Sequence, residues 1–255
     1  MTRLDAHVKV LDDAVVARAK RRSLDALVYA PHFTALPTIR ERAARYTDDD
    51  LLVVPGRELF AGHWTDRTHV LAVDPAEPIP DFITLEATMT ELARQEATVV
   101  APHPEFLSVS LDAADLRAYR ETIDALEVYN PKLGRRHADR AKTLAGIFDY
   151  PGVGSSYAHL RGTVGEVWTE LDRTVDSPGE VASALADGEI RRVVRRNGRG
   201  HRLRRLAEQA HLSYENSVEK VDRVLLSGRE ATHPDEPLYD GRFDHAIVSP
   251  PGLDR

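Results

Sequence analysis

Five histidines and one glutamate stand at or just past the ends of short apolar runs. They are His7 in Leu4-Asp5-Ala6-His7-Val8-Lys9, His32 in Val28-Tyr29-Ala30-Pro31-His32, Glu58 in Val53-Val54-Pro55-Gly56-Arg57-Glu58, His69 in Thr68-His69-Val70-Leu71, His103 in Val99-Val100-Ala101-Pro102-His103-Pro104, and His159 in Gly154-Ser155-Ser156-Tyr157-Ala158-His159. Neutral imidazoles with a carboxylate are the ligands of a hydrolytic zinc or manganese site. Taken singly, a histidine near a strand end is more often a hydrogen-bonded structural residue than a ligand. Their shared position is what argues for chemistry, because a barrel brings consecutive strand ends around one axis, where active sites are built. The chain has no cysteine. Disulfides, thiolate nucleophiles and Cys-ligated zinc are thereby excluded, and any metal would be held by nitrogen and oxygen.

The elements that must position these residues follow from the alternation of short β-branched or aliphatic runs with amphipathic stretches, the pattern of repeated βα units. Strands are expected over 4–8, 26–29, 51–54, 69–73, 98–101, 125–129 and, less clearly, 146–150. Helices are expected over 13–22, 37–46, 84–95, 111–121 and 136–145. Seven strands are more than a two-layer sandwich needs and point to a closed or nearly closed α/β barrel.

After Arg161-Gly162 the alternation stops. Ser177-Pro178-Gly179-Glu180 reads as a helix start, with Ser177 as N-cap and Glu180 three residues on, and a helix should run through Leu185. From Arg191 to Arg205 the chain carries eight arginines, at 191, 192, 195, 196, 199, 202, 204 and 205, broken by Asn197-Gly198. The spacing of 191/192, 195/196 and 199 places much of that charge on one helix face. A second helical pattern runs from about 202 to 226, and the tail from His233 to Arg255, rich in Pro, Gly and Asp, reads as irregular. The expected division is a barrel over 1–170, a helical extension over 171–232 and a tail over 233–255.

Composition narrows the class. At 255 residues, 42% hydrophobic and 29% charged, the chain can bury a substantial core and is neither disordered nor a membrane protein. No apolar stretch approaches the roughly 18 residues of a membrane span, and no signal peptide opens the chain, so a cytoplasmic location is expected. Acidic residues outnumber basic ones 41 to 34, and only five of the basic residues are Lys. That balance suits a protein hydrated in salt and says nothing of function.

The order of the motifs resembles the PHP (polymerase and histidinol phosphatase) family of metal-dependent phosphoesterases. Asp5-Ala6-His7-Val8-Lys9 matches its opening Asp-x-His-x-His except at the second histidine, and Pro31-His32 matches its Asp-His with the Asp lost. Gly56-Arg57-Glu58, His69 and His103-Pro104 match outright, and Ser156-Tyr157-Ala158-His159 matches the closing Ser-Asp-x-His with Tyr for Asp. Ala19 to Leu27 and Leu126-Glu127-Val128-Tyr129-Asn130 read like the flanking segments of that family, and the likeness covers roughly 3–170. It implies a distorted TIM-like (β/α)7 barrel with a helical C-terminal extension. It also implies that Glu58, His69 and His103 form one complete metal cluster. His32 and His159, completed by Asp12 or Asp13, would form part of a second, and His7 with a share of Glu58 would be the remnant of a third. One or two divalent ions, Mn, Zn or Fe, are then expected instead of a full trinuclear site.

The chemistry implied is hydrolysis of a phosphomonoester or nucleotide by metal-bound hydroxide, with a small phosphorylated substrate. Glu58, His103, Lys9 and Tyr157 are the catalytic candidates: Lys9 as an ammonium where a cation stood, Tyr157 as a hydrogen-bond donor where the family has a ligand. Arg135 and Arg136 would grip a phosphate, although an exposed helix start explains them more simply. Two other readings stay open: a degenerate PHP scaffold with a binding or regulatory role, and an RNA-associated barrel such as a ribonuclease P subunit. A nucleic-acid partner would use Arg191 to Arg205, but a solvated or internally paired face, with Glu180, Asp187 and Glu189 near, is favoured. Gly152-Val153-Gly154-Ser155-Ser156 lacks the Lys of a P-loop and the third Gly of a dinucleotide fingerprint. Neither a Gly-x-Ser-x-Gly elbow nor a His-Glu-x-x-His helix occurs.

Overall fold

A computed structural model describes residues 1–63, 66–106, 109–214 and 231–248. Nine strands form one sheet: β1 (Thr2–Val8), β2 (Ala26–Tyr29), β3 (Leu52–His63), β4 (Asp66–Val73), β5 (Thr98–Ala101), β6 (Ala125–Tyr129), β7 (Gly152–Gly154), β8 (Val167–Leu171) and β9 (Ile190–Arg195). Their order is β7-β6-β5-β4-β3-β2-β1-β8-β9. The helices are α1 (Asp13–Arg21), α2 (Leu36–Tyr46), α3 (Leu85–Arg94), α4 (Ala113–Ala118), α5 (Arg135–Phe148), α6 (Pro178–Ala186) and α7 (Arg199–Tyr214). The sheet curls into a nearly closed barrel. Where β7 meets β8 the gap is bridged by a side chain: Thr169 Oγ1 accepts from Gly154 N at 2.8 Å and donates to Gly154 O at 2.9 Å.

The strands β1 to β3 and β5 to β7 run parallel within each group, while β4 is antiparallel to both β3 and β5, and β8 to β1 and β9. This departs from uniform βα repetition, and it matters for the site. Because β3 and β4 are a hairpin, the early residues of β4 stand at the mouth beside the late residues of β3. The mouth formed by the C-terminal ends of the parallel strands therefore receives His69 from a strand running the opposite way.

The inner packing is small and aliphatic. Ala26 and Val28 of β2, Val54 of β3, Leu71 and Val73 of β4, Val100 of β5 and Ala125 of β6 cluster with Val181, Ala184 and Leu185 of α6. Helix α6 thus plugs the end away from the mouth, where Thr98 donates to Ala182 O at 3.1 Å. Its start is as the sequence implies, with Ser177 accepting from Glu180 N. Leu27 and Tyr29, on the opposite face of β2, pack with Val15 and Ala19 of α1 and Ile39 and Ala43 of α2. Tail residues Tyr239, Phe243 and Ala246 join the outer cluster under α3 to α5, so this part of the tail is held by burial.

Three local expectations are corrected. The strand expected over 146–150 is the end of α5, where Ala138, Ala141, Leu144, Ala145 and Phe148 keep helical spacing and bury. Asp149 then ends the helix at φ +59, and the strand begins at Gly152. The arginines at 191, 192 and 195 lie on strand β9, not on a helix, because Val193 and Val194 pair with Thr169 and Trp168 of β8. Strand β3 continues through Pro55-Gly56 because Pro55 pairs with Tyr29 at the end of the β2 ladder, and a Cβ at Gly56 would collide with Val28. Of the second helical pattern, α7 reaches Tyr214, and 215–226 lies outside the described residues. Among the described residues no helix is long and apolar enough to cross a membrane.

Candidate metal centre

Glu58 is the hub of the barrel mouth. It is 0% exposed, and its two oxygens face different company. Oε2 accepts from Lys9 Nζ and lies 2.7 Å from His32 Nε2. Oε1 faces three imidazoles: His69 Nδ1 at 3.3 Å, His103 Nε2 at 3.4 Å and His7 Nε2 at 3.7 Å. Single ligand atoms of Glu58, His69 and His103 all lie within 4.8 Å of one another, the spacing of a metal site.

Each side chain has a local reason to be there. On β1, Leu4 and Ala6 join the inner cluster but Val8 packs against α1, and the pairing with β2 shifts register between Asp5 and Val8. The switch in alternation turns His7 toward Glu58. His69 sits opposite Phe60 in the β3–β4 ladder, their rings 4.3 Å apart. His103, at φ +34, is held by its backbone N–H on Glu127 Oε2 at 3.0 Å. Glu127 also accepts from Ser155 Oγ and from Asn130 Nδ2 at 2.7 Å, which ties the loops after β5, β6 and β7 together. Asp5 does similar work. It accepts from Ser156 N and Gly165 N at 2.8 and 3.0 Å, and burial pushes its carboxyl up to about 6.

The electrostatics favour a cation. Burial alone would raise the Glu58 carboxyl, but the Lys9 ammonium and the imidazoles hold it well below the usual carboxylate range. Burial, with the Lys9 charge, pulls His7 down to about 3, and burial pulls His69 down to about 4, so both rings are neutral. Both nitrogens of His7 and both of His69 are buried without a hydrogen-bond partner. Unpartnered ring nitrogens beside an ionised carboxylate are expensive to maintain, and a metal would take one nitrogen of each ring.

His32 is the most open of the set, its side chain 21% exposed, and its ring lies 5.4 Å from that of His159. His159 has partners of its own: Lys132 Nζ lies 2.5 Å from its Nδ1. Tyr157, at φ +44, fills the centre, its ring 4.6 Å from His7, 5.3 Å from His103 and 4.9 Å from His159. Asp12 is not at the centre. It caps α1 by accepting from Val15 N at 3.0 Å and pairs with Arg161 at 2.5 Å, while Asp13 lies in the first turn of α1. Arg135 has a 95% exposed side chain facing Asp139 at 3.8 Å, and Arg136 is exposed beside it, so the fold does not bring them to the cluster.

Two residues of the site went unread in the sequence. Lys132 and Glu208 are both buried, and Glu208 accepts from His159 N, Leu160 N and Thr163 Oγ1. Glu208 comes from α7, beyond the motif-bearing part of the chain, and only its place in an Arg-rich helix could have marked it. The arginine run is largely spoken for inside the molecule. Arg192 pairs with Glu170 at 2.7 Å, Arg204 with Glu166 at 3.2 Å, Arg205 donates to Leu133 O at 3.2 Å, and Arg195 lies over the Tyr129 ring.

Residues 135–190 match the PHP-associated family. Among solved structures, the chain is similar to PsfC from Pseudomonas syringae at 23% identity, over 83% of this chain and 100% of that one, with a TM-score of 0.63. It is also similar to a two-domain protein containing a predicted PHP-like metal-dependent phosphoesterase from Bacteroides vulgatus, at 18% identity over 82% of this chain and 69% of that one, TM-score 0.59. An amidohydrolase from Chromobacterium violaceum, with bound sulfate and no metal, is similar at 13% identity over 75% and 97%, TM-score 0.53. No curated protein matches the sequence. At these identities the structures establish the barrel architecture alone.

Proposed function

We propose that this chain, a PHP-type barrel with a PHP-associated segment, is a divalent-metal-dependent phosphoesterase acting on a small phosphorylated substrate. The observation that carries this reading is the Glu58 Oε1 face, where His7, His69 and His103 nitrogens lie within 3.7 Å of an oxygen that stays ionised. The donor set fits the ion. Three imidazoles and one carboxylate suit Mn, Zn or Fe, and the buried, unpartnered nitrogens of His7 and His69 are consistent with ligands awaiting a cation.

Glu58, His69 and His103 would hold a divalent ion, which would lower the pKa of a bound water and offer positive charge to phosphoryl oxygens. Lys9 orients the carboxylate. It binds Oε2 and is itself held by Ala30 O at 2.6 Å, so Oε1 is left to His7, His69 and His103 while His32 shares Oε2. His32, at the open side, is the first of these side chains that a phosphate entering from solvent would meet. Tyr157, buried among His7, His103 and His159, keeps bulk water out of the centre, which strengthens the charge interactions there.

A second reading has one observation in its favour, the Lys9–Glu58 ion pair, in which an ammonium has taken one oxygen of the central carboxylate. On that reading the barrel binds an anion without hydrolysing it. Elemental analysis of protein purified without chelators, with His103→Ala as control, separates the two. One or two equivalents of Mn, Zn or Fe that fall in the variant, with metal-dependent turnover of a phosphomonoester that Glu58→Gln abolishes, supports the hydrolase. Undiminished turnover in Glu58→Gln refutes it, and an absence of metal after incubation with excess Mn supports the anion-binding barrel.

A further inference from the structure

We propose that His159 faces the site as a hydrogen-bond donor and not as a metal ligand, because Lys132 fixes its tautomer. The inference rests on the reading of Glu58, His69 and His103 as the metal position and adds a second, metal-free function beside it.

An ammonium has three protons and no lone pair, so it can only donate. Lys132 Nζ stands 2.5 Å from His159 Nδ1, which must therefore offer its lone pair to Lys132. The Tyr157 carbonyl is 3.1 Å from the same nitrogen, but a proton on Nδ1 directed there would point two N–H donors at each other over the shorter contact. In a neutral imidazole the single proton is then on Nε2. A nitrogen carrying a proton cannot bind a metal, whereas it can donate to a phosphoryl or leaving-group oxygen.

The charge on Lys132 is itself built in. Glu208 Oε2 lies 3.5 Å from Nζ, and the ammonium sits 4.0 Å from the centre of the Tyr157 ring, a cation–π contact in a buried setting. The backbone is fixed as well. Lys132 N donates to Asn130 Oδ1 at 2.9 Å, and Asn130 is bonded to the Glu127 that carries the His103 N–H. His159 N and Leu160 N both rest on Glu208 Oε1 at 3.0 and 2.9 Å. The two histidines are thus set in opposite senses by the same network. His103 gives its Nδ1 to Ser110 at 2.9 Å and keeps Nε2 toward Glu58, whereas the Nδ1 of His159 is taken by Lys132.

Lys132 is accordingly a positioning residue, and the test reads the tautomer directly. Long-range proton–nitrogen NMR spectra of uniformly nitrogen-15-labelled protein, with His159→Gln and His103→Gln for assignment, are recorded before and after one equivalent of zinc. The expected result is a His159 ring protonated on Nε2 that does not move when zinc shifts His69 and His103. A His159 Nε2 without a proton, or one that moves with zinc as His103 does, overturns the proposal. Zinc that leaves His69 and His103 unmoved would instead refute the metal reading, while a His159 proton on Nε2 still stands. As an independent measure, His159→Gln retains a donor amide and should keep zinc affinity within about threefold, where loss of a true ligand or its support costs tenfold or more. A loss matching that of His103→Gln would also overturn it.

Discussion

Ser110 Oγ lies 2.9 Å from His103 Nδ1 and donates its own proton to the Phe106 carbonyl at 2.8 Å, so it can only accept from His103. In the neutral ring that leaves Nε2 as a lone pair directed at Glu58 Oε1 at 3.4 Å, an arrangement that a cation held between the two would satisfy. Replacing Ser110 by Ala releases the tautomer without touching a ligand. Metal affinity, measured by competition with a chromophoric chelator, should fall about 10- to 100-fold. An unchanged affinity would show that Ser110 does not orient the ring.

Lys9→Met removes the ammonium paired with Glu58 while keeping an unbranched side chain of similar length. The metal-free protein should lose about 3–5 kcal/mol, the cost of leaving a buried carboxylate uncompensated. Saturating Mn or Zn should restore most of that loss, since an ion at the Oε1 face supplies the missing charge. Urea denaturation with and without metal gives both numbers. A loss that metal does not recover would place Lys9 outside the electrostatics of the site.

The buried histidines set the acid limit of the metal-free protein. His7 and His69 are depressed by burial to about 3 and about 4, below the value near 6.5 of an unfolded chain, so the folded state binds fewer protons between those values. Their contribution to stability is complete above pH ~6.5 and is lost as pH falls toward 4. Asp5 works the other way: raised by burial to about 6, it contributes below its unfolded value near 3.9 and loses that contribution as pH rises through 6. Burial also holds His32 and His159 well below 6.5, so the histidines outweigh Asp5 and stability of the metal-free chain should fall between pH 6.5 and 5. Chemical denaturation across that range checks the sign, and stability that rises on acidification would contradict it.

The closure of the barrel depends on an absent side chain. A Cβ at Gly154 would collide with Val193 Cγ1 of β9 and press on Val167 of β8. Gly154→Ala should therefore cost about 1–3 kcal/mol, and Val193→Ala in the same chain should return part of it, a coupling that a double-mutant cycle resolves. Additive losses would mean that the two positions do not share the seam.

The sequence by itself determined the types and order of the site residues, because imidazoles and a carboxylate at the ends of apolar runs stand out locally. His7, His32, Glu58, His69 and His103 could be picked out one strand end at a time, and the strands over 26–29, 98–101 and 125–129 could be bounded by their apolar runs. Tertiary structure alone decided how those residues divide. Nothing local tells that Glu58 gives one oxygen to Lys9 and His32 and the other to His7, His69 and His103, or that Lys132 and Glu208, 76 positions apart, meet at His159. The strand β9 was hidden for the same reason. A run of arginines looks like a solvated helix until its two valines find β8, and pairing between distant segments is a long-range contact that no window of sequence contains.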